Sequence, residues 1–172
     1  MTDTITATRI SDPLAGTIAR RLVVADVENL LGRAPAEASA LEWALAVGHL
    51  LDAIGFRRGS DMVVIAVNPV YAIHVAEFAR HGRLCVRSGP DGADLALCDE
   101  LADVDFIARR YDEVTVGSGD HEFLPSVVRL NASGVRTTVA ALYGSMSLGL
   151  RVAAHRTVWV PRTSRVELGL AA

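Results

Sequence analysis

The run Met62-Val63-Val64-Ile65-Ala66-Val67 carries no polar residue. A strand with one wet face alternates apolar and polar side chains, so an unbroken run of strand length needs cover on both faces. Strands of a parallel sheet read this way. Shorter apolar runs recur along the chain, separated by stretches with helical spacing. Strands are expected at about 22–27, 62–67, 84–86, 113–116, 135–141 and 157–160. Helices are expected at about 36–54, between Pro35 and Gly55, from Pro69 to Gly82, at 93–108, from Phe123 to a cap at Gly134, and at 145–154. Leu41, Ala44, Leu45, Gly48 and Leu51 mark the packing stripe of the first helix; Phe123, Leu124, Val127, Val128 and Leu130 mark that of the fourth. Alternation this regular predicts an α/β fold, a three-layer α/β/α sandwich with a mainly parallel central sheet. One domain is expected over 21–160, with a flexible N-terminal arm at 1–20 and a short, frayed tail at 161–172.

Composition narrows the chemistry. The 17 basic residues are all arginine. Without lysine the chain lacks a P-loop and any Schiff-base mechanism. A net charge of −3 argues against gripping nucleic acid by bulk electrostatics. No apolar run approaches the ~20 residues that cross a bilayer, and the N-terminus lacks the layout of a secretory signal. The expectation is a cytoplasmic protein with no membrane partner. Cys85 and Cys98 form no CxxC pair and are expected as reduced thiols in the core.

Three aspartates stand where such a fold gathers ligands. Asp26 ends the run Leu22-Val23-Val24-Ala25, and Asp120 follows Val114-Thr115-Val116 through Gly117-Ser118-Gly119. Asp94 lies where Ser88-Gly89-Pro90-Asp91-Gly92 gives way to a helix. In open α/β sheets the carboxyl ends of the strands line one crevice. Carboxylates converging there repel one another unless a cation joins them, which points to a hard divalent metal and phosphate-ester hydrolysis.

The segments around these aspartates resemble the NYN domain family, a branch of the PIN-like nucleases. Val24-Ala25-Asp26-Val27-Glu28-Asn29-Leu30 is similar to the family's strand-end Asp with Asn three residues on. Gly92-Ala93-Asp94-Leu95-Ala96-Leu97-Cys98-Asp99 resembles its helix-entry Asp followed by another over a turn later. Val116-Gly117-Ser118-Gly119-Asp120-His121-Glu122-Phe123 is similar to its Ser-Gly-Asp loop. The resemblance spans about 21–160. It implies a PIN-like, Rossmann-like sheet and a ribonuclease that hydrolyses RNA phosphodiesters through Mg²⁺ or Mn²⁺. Asp26, Asp94 and Asp120 would be the catalytic, metal-holding acids and Asp99 a further ligand. Asn29, Ser118, Glu28 and Glu122 would support them, and Arg87 and His121 would contact phosphate. Glu122 stands where the family commonly shows Asp, and the loop before Asp94 lacks the lysine that relatives often carry. RNA is the expected partner, with a second copy of the chain or a regulatory protein as further candidates.

Plainer roles compete. Asp26 suits a turn after a strand, and Asp94 and Asp120 each suit a helix N-cap. Asp99 suits a solvated helix face, and Trp43 and Trp159 suit packing. An inactive RNA-binding or interaction module is the alternative function. A nucleotide-binding reading of Gly117-Ser118-Gly119 is weaker, because Glu122 holds the third glycine position. An Asp-x-Asp phosphatase fits poorly, since Val27-Glu28 follows Asp26.

Overall fold

The computed structural model describes residues 19–164 and 167–169. Apart from Ala19 and Arg20, the expected N-terminal arm lies outside the described residues. The strands are β1 (Arg21–Asp26), β2 (Asp61–Val67), β3 (Gly82–Val86), β4 (Glu113–Gly117), β5 (Arg136–Leu142) and β6 (Arg156–Val160). They form one sheet in the order β3-β2-β1-β4-β5-β6, with every neighbouring pair parallel. The helices are α1 (Val27–Leu31), α2 (Ala40–Ala53), α3 (Ala72–Val75), α4 (Gly92–Glu100), α5 (Val104–Arg110), α6 (Leu124–Ala132) and α7 (Leu148–Ala153).

Successive strand residues face opposite sides, and the core divides accordingly. Val23, Ala25, Val63, Ile65 and Val67 pack with Leu30, Trp43, Val47, Leu50 and Val75 from α1–α3. Leu22, Val24, Val64, Val114, Val116 and Val139 pack with Leu97, Ile107, Val127, Leu130 and Leu150 from α4–α7. The architecture is a three-layer, Rossmann-like α/β/α sandwich, as the apolar runs require. No helix among the described residues is long and apolar enough to cross a membrane.

Several elements differ from expectation. The chain turns into α1 immediately after Asp26, a short helix closed by Gly32 in the left-handed conformation at φ 66°. Pro35 opens a 3-10 turn over Pro35–Glu37, and α2 begins only at Ala40, where Ser39 and Glu42 form a reciprocal capping box. Its buried side is Trp43, Ala46, Val47 and Leu50, one position round from the expected stripe, and Leu41 is exposed. The expected Pro69–Gly82 helix is a series of short turns around α3. Gly82 does not cap it but joins β3, where a Cβ would strike the Val63 carbonyl. The expected 93–108 helix is two helices, because Asp103 accepts from the Phe106 amide at 2.9 Å and starts α5 afresh. Val128, expected on the buried face of α6, is exposed.

The cysteines are free thiols, as expected, but only half-buried. The described part of the tail is tied down rather than frayed. Arg162 donates to the Gly32 carbonyl at 3.2 Å, and Glu167 pairs with His49 at 2.7 Å.

Candidate functional site

Asp26 closes β1 on the same face as Leu22 and Val24, the side covered by α4. The register sets Ala25 beside Gly117, so Ser118, one residue on, comes level with Asp26. The Ser118 hydroxyl donates to Asp26 Oδ2 at 3.5 Å and accepts from the Asp120 amide at 3.2 Å. Asp26 Oδ1 accepts from the Asn29 amide at 3.2 Å, which caps α1. Asn29 Oδ1 in turn accepts from the Gly119 amide at 3.4 Å. The loop between them needs glycine, since a Cβ on Gly119 would meet the Ser145 carbonyl. Asn29 and Ser118 thus hold Asp26 and the β4 loop together.

Asp94 lies in the first turn of α4 but does not cap it. The cap position is Asp91, the one non-glycine residue at positive φ (53°) among those described, and no side-chain cap bond forms there. Asp94 Oδ1 is buried without a hydrogen-bond partner. Asp26, only 4% exposed, lies within hydrogen-bonding reach of Asp94. These two facts are compatible, because ionised carboxylates are both acceptors. Their contact bonds only when a proton sits between them. Burial, then the Asp94 charge, pushes the Asp26 carboxyl well above the usual carboxylate range, against the opposing Asn29 amide. Asp94 is raised too, by burial first; the contact with Asp26 opposes this, and the charges of Asp120, Asp91 and Glu122 add to it.

The pair opens into a cleft of about 250 Å³ lined by Asp26, Glu28, Asn29, Asn68, Asp91 and Asp94, together with Gly89, Gly92 and Ala93. Glu28 Oε1 accepts from the Asn68 amide at 2.6 Å. Asn68 was missed from sequence, although it follows β2 directly, much as Asp26 ends β1, and precedes Pro69.

Other expected members are not brought in. Asp120 is committed to capping the 3-10 turn His121–Phe123, accepting from the Glu122 amide at 3.1 Å, and it pairs with His121 Nδ1 at 2.9 Å. Its charge reaches Asp94, but Asp120 does not line the cleft. Among the described residues no group of three or more Asp, Glu, His or Cys side chains is set to hold a metal ion. Three converging acids are therefore corrected to a pair, Asp26 buried and Asp94 half-buried, with a charged neighbour in Asp120. Asp99 is exposed and paired with Arg87 at 2.9 Å, and neither residue lines the cleft. His121, with its side chain 78% exposed, faces Asp120 and Glu122 rather than an open phosphate position. Glu122 is exposed and outside the cleft.

The donor set still fits a hard cation in part. One buried and one half-buried carboxyl, the latter with an unpartnered oxygen, suit an ion that keeps several waters, as Mg²⁺ does. The strand order is also that of dinucleotide-binding folds. Here, however, β1 enters α1 at a carboxylate without a glycine loop, so a diphosphate would meet negative charge.

No protein-family model matches the chain, and no curated protein matches it. Its fold is similar to the crystal structure of a protein of unknown function from Vibrio parahaemolyticus. The TM-score is 0.58 at 14% identity, over 87% of this chain and 96% of that one. At that identity the likeness extends to the fold alone.

Proposed function

We propose that this chain is a metal-dependent ribonuclease of the NYN, PIN-like type, hydrolysing RNA phosphodiesters with Mg²⁺ or Mn²⁺ held by Asp26 and Asp94. The observation that carries the reading is the pairing of buried Asp26 with half-buried Asp94, whose inward oxygen is orphaned, in a cleft that also exposes Glu28 and Asp91. Four carboxylates around one small cleft would repel a phosphate unless a cation intervened. A bound divalent ion would supply charge neutralisation at the phosphoryl oxygens and a lowered pKa for the attacking water. Asn29 and Ser118 fix the orientation of Asp26 through its two oxygens. Asp120, fastened to Ser118 through its amide, adds negative charge beside Asp94 and strengthens the preference for a cation. Cytoplasmic residence goes with this reading.

Cleavage of single-stranded RNA in Mn²⁺ tests it. Activity should vanish in EDTA and fall about 100-fold or more in Asp26→Asn and Asp94→Asn, with unchanged circular dichroism. A rate unaffected by either substitution would remove the assignment.

One observation favours a second reading, a non-catalytic RNA-binding or interaction module: no third ligand is assembled among the described residues. That reading requires RNA binding without turnover, indifferent to EDTA and to Asp26→Ala.

A further inference from the structure

At the opposite end of the sheet, where β1 and β2 begin, lies a second cleft of about 420 Å³. Arg20, Arg58, Arg80 and Arg110 line it, together with Phe56, Tyr111 and a single acid, Asp61. That acid is already occupied, because its carboxylate accepts from Arg21 and Arg57. Six of the chain's 17 basic residues therefore meet at this end of a protein with net charge −3. Among the described residues Arg58, Arg80 and Arg110 pair with no carboxylate. Arg20 and Arg110 instead lie over the rings of Tyr111 and Phe106, at 5.7 and 5.8 Å. An adjoining hollow of about 330 Å³ shares Phe56 and Arg58 with this cleft and is walled by Leu51, Val63 and Phe78, with Asp52 as its one acid.

We propose that the two hollows form one binding site for a small phosphate monoester with a flat or apolar body. The phosphate lies among the arginines, and the body packs against Phe56 and Phe78. Guanidinium groups match phosphate oxygens two at a time, and an anion relieves the repulsion among arginines that lack acidic partners. The volumes lie in the range of small-ligand sites, and the apolar lobe gives a purpose to an organic body that inorganic phosphate would leave unused. A strand length of roughly 20 Å separates this site from the Asp26 cleft, so it stands independently of the nuclease reading.

Calorimetric titration of the full chain in EDTA tests the site. The probes are adenosine 5′-monophosphate, phenyl phosphate, inorganic phosphate and a short single-stranded oligoribonucleotide. At least one of the two monoesters should saturate at one per chain, about tenfold or more tighter than inorganic phosphate. The double variant Arg58→Ala/Arg80→Ala should weaken it at least ~10-fold, with an unchanged thermal midpoint. Several results would overturn the proposal: no saturable binding of either monoester, affinity unchanged in the double variant, or inorganic phosphate binding as tightly. Tighter binding of the oligoribonucleotide would also overturn it, because the face would then be a track for a nucleic-acid backbone.

Discussion

Asp26 serves two ends, capping α1 through the Asn29 amide and confronting Asp94. Its folded-state carboxyl binds a proton more readily than the unfolded chain does. Its contribution to stability is therefore full below the ordinary aspartate value of about 3.9 and is lost as pH rises through the raised folded value. Asp26→Asn keeps the cap and can donate to Asp94. In EDTA at pH 7 the variant should melt higher than the parent, by roughly 2–4 °C for each kcal/mol relieved, and the gap should close as pH falls below the ordinary range. Thermal melts across pH check this; a variant that melts lower at pH 7 would contradict it. Ser118→Ala removes the hydroxyl between Asp26 and Asp120 and should lower metal-dependent cleavage by about 10–100-fold, read as turnover at saturating Mn²⁺. Asp26, Asn29 and Ser118 were legible because strand ends are marked by where an apolar run stops. Asp120 carried two readings, since a capping carboxylate and a ligating one follow the same residues in sequence. The Arg87–Asp99 pair was hidden, because it closes across the β3–α4 turn.

Elements were legible where burial left one reading and illegible where a polar side chain did structural work. Helix α2 has apolar residues around most of its circumference, so spacing alone does not choose its face. Glu42 points inward because Ser39 and Arg33 consume its carboxylate, and a reader who assigns it to solvent turns the helix by one residue. Ser39→Ala should cost about 1 kcal/mol, measurable by urea unfolding. Asp103 broke the third helix by the same capping chemistry. At the start of β2, Asp61 is buried with Arg21 and also accepts from Arg57. Burial alone would raise its pKa, but bonds from Arg57 and Arg21 outweigh it and hold the carboxyl below the usual range. Its contribution is present above pH ~3.9 and is lost as pH falls through the depressed value. Asp61→Ala strands the buried Arg21 charge and should cost about 3–5 kcal/mol. A loss under 1 kcal/mol in urea unfolding at pH 7 would show that Arg21 finds another partner.

At the scale of the whole sheet, two oppositely charged clefts lie at opposite ends of the strands. Asp26, Glu28, Asp91 and Asp94 line the cleft at the carboxyl ends, and Arg20, Arg58, Arg80 and Arg110 line the one at the amino ends. Parallel strands make this separation possible, because every β1-to-β6 start lies at one end of the sheet and every finish at the other. The sequence announced the acidic end through its strand-end aspartates, but the arginines come from separate loops and met only in the fold. An ion bridging the acidic end should also stabilise the chain, so Mn²⁺ should raise the melting temperature of the parent but not of Asp26→Asn. The most direct measurement is anomalous diffraction from a crystal soaked in Mn²⁺. The account predicts a single peak in contact with carboxylate oxygens of both Asp26 and Asp94, with water filling the remaining positions. Density without a peak there, and with the two carboxyls sharing a proton, would contradict it.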